Sequence, residues 1–252
     1  MRNGGSVIIS TAPSGIPVDA EEFQLCTLSP CFPLQSRRCL WKKNGKNHPD
    51  FSQWYQEKLR LDITGEKQVL RRKFSALRKA LSSEARQQYN AAICAAVADL
   101  ECFRQAEFIA AYIPFGGEVD LSPIFCGKQL LLPRFVPERG VYELVCVDDF
   151  KRNLLPGKYG IPEPRPELPA VPGDIAASRA LFLTPAVSCD RSGTRLGRGG
   201  GYYDRMLAGV KIPPVAVIYS CQLSDTPLPG TAHDIKMGLV VTEREVIHCS
   251  EE

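Results

Sequence analysis

The sequence predicts a three-layer α/β fold, in which a mostly parallel sheet carries helices on both faces. Two observations carry this expectation. From Thr64 onward, short β-rich runs alternate with segments of helical period. Residues 180–187 form a continuous apolar run, the pattern of a strand buried on both faces of a parallel sheet.

The elements follow in order. Thr64 can cap a helix in which Leu70, Phe74, Leu77 and Leu81 make an apolar stripe. Ser82 or Ser83 can cap a second helix that turns Tyr89, Ile93, Val97 and Leu100 inward. Residues 108–113 read as a strand closed by Pro114, and residues 121–125 as a short helix. Residues 129–132 and 142–147 read as strands. The stretch 151–174 is rich in Pro and Gly and predicts a long loop. After the buried strand, residues 201–207 open a helix, and residues 215–219 and 239–242 are the last strands.

Residues 1–63 differ in character from the α/β catalytic domain expected over 64–252. They mix Gly, Ser, Pro, Asn and Cys without a sustained period, although residues 51–61 could form a short helix. Asp19, Glu21 and Glu22 place acid where transit peptides avoid it. The expectation is therefore a poorly ordered extension on a cytoplasmic protein, with an organellar transit peptide as the alternative. A formal charge of +3 and the lack of a basic-aromatic motif give no reason to expect nucleic acid as a partner. No apolar run approaches the ~18 residues of a membrane helix, so no membrane partner is expected either. The ten cysteines show no Cys-x-x-Cys pair. Cys94, Cys146, Cys189 and Cys221 sit in or beside apolar runs, as free thiols of a core do.

The chemistry concentrates in one segment. Arg195-Leu196-Gly197-Arg198-Gly199-Gly200-Gly201-Tyr202-Tyr203-Asp204 lies between the buried strand and a helix. Glycines let backbone N–H groups approach an anion, and arginines add charge-assisted hydrogen bonds to phosphate oxygens. The segment is neither a Walker loop nor the dinucleotide fingerprint. Asp204 can cap the helix or hold Mg²⁺ against phosphates, and Asp234 after His233 is a second acid of the same kind. Lys67 and Arg71, four apart, share one helix face, which by itself reads as the solvated edge of an amphipathic helix sooner than as a binding face.

These residues, with three further blocks, resemble the 5-formyltetrahydrofolate cyclo-ligase (methenyltetrahydrofolate synthetase) family. The blocks are Lys67-Gln68-Val69-Leu70-Arg71, then Tyr112-Ile113-Pro114-Phe115-Gly116-Gly117-Glu118-Val119-Asp120, then Tyr159-Gly160-Ile161-Pro162-Glu163-Pro164. The fourth is Arg195 through Arg205 with His233-Asp234 beyond it, and the resemblance spans about three quarters of the chain. It implies ATP- and Mg²⁺-dependent closure of 5-formyltetrahydrofolate to 5,10-methenyltetrahydrofolate, with ADP and phosphate released, by a monomer. A non-catalytic folate- or nucleotide-binding relative is the alternative. It implies ATP contacts at Lys67, Arg71, Arg195, Leu196, Gly197, Arg198, Gly199, Gly200, Gly201, Tyr202 and Tyr203, of which Arg195 and Arg198 are catalytic. It implies substrate contacts at Phe115, Glu118, Tyr159 and Tyr203, and Mg²⁺ ligands at Asp204 and Asp234. The sequence departs from the family pattern at Ile235-Lys236-Met237-Gly238, where relatives often carry an acid.

Overall fold

The computed structural model describes residues 24–25, 41–43, 46–48, 51–157, 160–231 and 234–249, with side chains from residue 63 onward. The chain divides into two units, Met1–Asp62 and Ile63–Glu252. In the first, β1 (Gln24–Leu25), β2 (Trp41–Lys43) and β3 (Lys46–His48) pair antiparallel in that order.

The second unit is built on a seven-stranded sheet. Its strands are β4 (Phe108–Ala110), β5 (Gln129–Val136), β6 (Val141–Val147), β9 (Ala180–Pro185), β12 (Val215–Val217), β14 (Leu239–Val241) and β15 (Val246–His248). The spatial order is β15-β14-β12-β9-β4-β5-β6. The five inner strands are parallel and the two edges antiparallel. Alternation of side chains across the pleat sends Ile109, Leu181 and Leu183 to one face, where they pack with Ile93, Val97 and Phe103. Those three belong to helices α2 (Ser83–Asp99) and α3 (Glu101–Gln105). Ala110, Phe182 and Ala216 go to the other face, against Ala176 and Leu207. These come from α5 (Gly173–Arg179) and α6 (Tyr202–Leu207). The predicted three-layer α/β architecture is the one observed.

Several local expectations are corrected. Thr64 does not cap a helix: α1 runs Phe51–Lys79, and the residues around Thr64 include no proline to stop it. Leu77 is 42% exposed and not part of the buried stripe, whereas Arg78 beside it is buried. The cap expected at Ser82 or Ser83 is present, and it is Ser82, which accepts from Ala85 N–H. The stretch expected as loop holds α4 (Phe150–Asn153), the β7 (Leu154–Pro156) and β8 (Pro162–Pro164) hairpin, and α5. Arg134 of β5 staples this excursion by donating to the carbonyls of Arg165 and Leu168 (2.9 Å for the latter). The edge strand β15 escaped the sequence reading, being only three residues long. The seven cysteines among the described residues are free; Cys94 and Cys189 are buried as expected, but Cys146 faces solvent from β6.

The chain passes from β4 to β5 on one side, and from β9 to β12 on the other. The order therefore reverses between β4 and β9. In an open α/β sheet the crevice outside the carboxyl ends of such a pair is where ligands bind.

Candidate active site

The glycine-rich segment is delivered to that crevice by a small second sheet. β10 (Ser188–Asp190) pairs antiparallel with β11 (Arg195–Leu196) and parallel with β13 (Leu223–Ser224). Asp190 holds the connecting turn: Oδ1 accepts from Ser192 N–H, Ser192 O–H and Thr194 N–H, and Oδ2 accepts from Leu228 N–H at 2.8 Å. Burial raises the affinity of this carboxyl for a proton, but the four donors outweigh it and hold its pKa below the usual range. Lys236 donates to Thr194 Oγ1 (2.7 Å) and Ser192 Oγ (2.9 Å), which ties the following segment to the same turn.

Beyond β11, the N–H groups from Gly197 to Gly201 find no acceptor among the described residues. Gly199 has φ of 103° and packs against Arg71 so closely that a Cβ there would lie 3.3 Å from the guanidinium carbon. Gly201, at φ 63°, precedes α6. That helix has only six residues, so the positive potential expected from its N-terminus is small, and the anion-binding capacity rests on the loop N–H groups and the cations.

Lys67 and Arg71 both project from α1 to the cavity that the loop borders. Arg71 Nε donates to Gly197 O at 2.8 Å, and Lys67 Nζ pairs with Asp234 Oδ2 at 2.7 Å. Burial pushes the Asp234 carboxyl up, but Lys67 and the Thr231 N–H more than offset this and hold its pKa low. Arg195 pairs with Asp204 at 2.9 Å and lies over the Tyr203 ring, 5.3 Å from its centroid. Its side chain is only 3% exposed. Both candidate metal carboxylates thus stand against a cation.

The turn after β4 supplies the opposite wall. Glu118 Oε2 accepts from Phe115 N–H at 3.1 Å, and Oε1 accepts from Arg198 at 2.7 Å. Arg198 also donates to Phe115 O at 2.8 Å and stacks on the Phe115 ring. Arg198 therefore bridges away from the glycine loop toward two residues expected to touch folate. Tyr203 is largely enclosed, and burial pushes its phenol pKa well up, keeping it a neutral hydrogen-bonding group at physiological pH. Tyr202 is more exposed and packs edge-on to Tyr142, ring centroids 5.0 Å apart.

The glycine loop, its cations and the aromatic wall line one cavity of about 720 Å³, within the range of small-molecule sites. It gathers Lys67, Arg71, Phe115, Glu118, Arg195 to Asp204, and Asp234. Tyr159 and His233 lie outside the described residues. The cavity also includes side chains that sequence reasoning did not single out as site residues: Tyr112, Tyr142 and Glu163. Tyr112 and Glu163 stood in the quoted blocks, and proximity to their neighbours was the available signal. Tyr142 begins an ordinary strand and gave none.

The family model for the 5-formyltetrahydrofolate cyclo-ligase family matches residues 63–243. The chain belongs to this family. The 5-formyltetrahydrofolate cyclo-ligase of Mycolicibacterium smegmatis is 32% identical over 148 residues, covering 55% of this chain and 75% of the relative. That of Escherichia coli K12 is 30% identical over 178 residues, covering 67% of this chain and 96% of the relative. The solved structure of 5,10-methenyltetrahydrofolate synthetase from Aquifex aeolicus superposes with a TM-score of 0.64 at 35% identity, covering 74% of this chain and 94% of that one. The cyclo-ligase fold thus accounts for the second unit, and this chain is an enzyme of that family.

A Mg²⁺ requirement can be weighed against the donors in the cavity. Among the described residues no group of three or more His, Cys, Asp or Glu side chains is gathered to hold a metal. Mg²⁺ that travels with a nucleotide takes most of its ligands from phosphate and water and needs one or two carboxylates. Asp204 and Asp234 line the cavity and meet that need. The donor set fits a nucleotide-borne ion better than a resident one. No helix among the described residues is long and apolar enough to cross a membrane.

Proposed function

We propose that the protein, acting as a monomer, uses ATP to close 5-formyltetrahydrofolate to 5,10-methenyltetrahydrofolate, releasing ADP and phosphate. The observation that carries this reading is one cavity at the sheet's switch point, lined on one side by a glycine loop with cations and on the other by an aromatic wall with a carboxylate. An N-formyl carbon is a poor electrophile, because the nitrogen lone pair delocalises into the carbonyl. Transfer of the γ-phosphoryl group to the formyl oxygen, with ADP leaving, makes that oxygen a leaving group. N10 then attacks the activated carbon, the carbon–oxygen bond breaks, phosphate departs with the former formyl oxygen, and the N10 proton passes to solvent.

Such a reaction needs positioning and charge stabilisation more than a strong base. Lys67, Arg71, Arg195 and Arg198 supply positive charge to the phosphates, and the N–H groups from Gly197 to Gly201 cradle them, with Leu196, Tyr202 and Tyr203 lining the nucleotide. Asp204 and Asp234 hold Mg²⁺, which neutralises phosphate charge when bound. Phe115, Glu118, Tyr159 and Tyr203 contact folate.

Mixing protein, MgATP and 5-formyltetrahydrofolate and following absorbance in the methenyl band tests the reaction. Arg71→Met is expected to lower product formation at least a hundredfold while the circular dichroism spectrum is unchanged. No product from the wild-type protein, with both ligands bound by calorimetry, would favour instead a non-catalytic relative of the same fold.

A further inference from the structure

Arg78 is 5% exposed, and its Nε and Nη1 are buried with no hydrogen-bond partner. A buried guanidinium without partners is costly and calls for a reason. It stands beside the Gly116 turn, where φ is 64°: a Cβ on Gly116 would lie 3.9 Å from Arg78 Nη2 and 3.5 Å from Arg198 Nη2. Arg78 and Arg198 therefore flank this turn beside Glu118, and a third guanidinium, that of Arg86, lies against Gly117, where its Nη2 is held by the carbonyls of Arg78 and Lys79. Arg198 takes both available hydrogen bonds at Glu118 Oε1. Arg78 makes none and acts on Glu118 only through space. Burial lowers the pKa of Arg78, with Glu118 the chief opposing influence.

The two arginines differ in freedom. The Arg198 side chain is 49% exposed, and among the described residues its hydrogen bonds and its ring contact go to Phe115 and Glu118. Glu118 is nearly enclosed, with 8% of its side chain exposed. If Arg198 turned to a nucleotide phosphate with no second cation nearby, an enclosed carboxylate would be left unpaired. That loss would oppose the movement.

We propose that Arg78 is a positioning residue, a standing counter-ion for Glu118 that releases Arg198 to the nucleotide. The inference rests on the reading of the cavity as a joint ATP and folate site, and it adds a coupling between the two halves. Nucleotide binding withdraws Arg198 from Phe115 and Glu118, which uncovers the folate wall, while Arg78 keeps a positive charge beside Glu118 and holds it in place.

Calorimetric titration with MgATP, without folate, tests this on the full chain. Arg78→Met is expected to weaken the Kd at least tenfold with a thermal midpoint no lower than that of wild type. Arg78→Lys keeps the charge and should stay within about threefold of wild type, since the guanidinium makes no hydrogen bond at Nε or Nη1. In the Glu118→Gln background, Arg78→Met should change the Kd less than about threefold. Wild-type affinity in Arg78→Met, equal weakening in Arg78→Lys, or persistence of the loss without Glu118 would each overturn the proposal. Failure of both the single and the double Met variants to fold would assign Arg78 to core stability and also overturn it. Absence of MgATP binding by the wild-type protein would instead remove the underlying reading of the cavity, and the coupling with it.

Discussion

Asp190 shows how one carboxylate can fix a site it never touches. Its four accepted hydrogen bonds tie the turn before Arg195 to the segment that leads through Leu228 toward Asp234. Because its folded pKa is depressed, it adds stability at pH values above the unfolded carboxylate value, and this is lost as pH falls through the folded pKa. Asp190→Asn is expected to cost about 2 kcal/mol at neutral pH. It should also flatten the fall in stability on acidification below about pH 4. Urea unfolding at a series of pH values measures both. Residue by residue, the sequence marked most of the cavity: the run from Arg195 to Asp204, Glu118, Lys67 and Arg71 all line it. It could not show that Arg195 would be enclosed against Asp204, or that Arg198 would reach Glu118 across 80 positions of chain. Ion pairs between distant segments leave no local pattern to read.

Among the elements, the parallel strands were the most legible, because burial on both faces writes an unbroken apolar run. The β7–β8 excursion was the least, since prolines that argue against a central strand are tolerated in a short edge hairpin. That excursion brings Ile161, Pro162 and Glu163 to the cavity wall and is held by Arg134, which also pairs with Glu143. Arg134→Ala should free the hairpin from β5. Steady-state kinetics should then show KM for 5-formyltetrahydrofolate raised about tenfold, while the MgATP Kd moves less than twofold. Equal changes in both would mean that the hairpin serves the whole cavity. The glycine loop carries a complementary constraint. At Gly199 an added methyl meets both an unfavourable φ and the Arg71 guanidinium. Sequence reasoning saw the need for glycine there, but as close approach of phosphate, whereas the structure adds close approach of an arginine.

Across the whole molecule, the match to the cyclo-ligase family covers residues 63–243, and 67% of this chain is enough to cover 96% of the Escherichia coli relative. Catalysis is therefore expected to need only the second unit and the helix that enters it. A chain lacking residues 1–50 retains α1 from its first residue. It should unfold at the same temperature and form product at a rate within about twofold of the full chain, measured by calorimetry and the absorbance assay. A large loss of rate with unchanged ligand affinity would give the first 50 residues a part in turnover. The boundary was legible because periodicity begins near residue 64. The continuity of α1 through that point was not, since a capping residue and a mid-helix threonine look alike until the flanking turns are known.

Lys67, Arg71 and Arg78 all belong to α1, so one rigid rod carries two cations that line the cavity and a third that stands behind the Gly116 turn. From the first to the last is 11 residues, which at the helical rise is about 16 Å and close to three full turns. The rod acts as a calliper. It sets the distance between Lys67 and Arg71 at one end and Arg78 beside the Gly116 turn at the other, and any sliding or rolling of α1 must shift both jaws at once. Drift in the loops between those positions can be absorbed by side-chain rotation. An insertion within the rod cannot, because one extra residue turns everything beyond it by about 100° and points the far jaw out of the cleft.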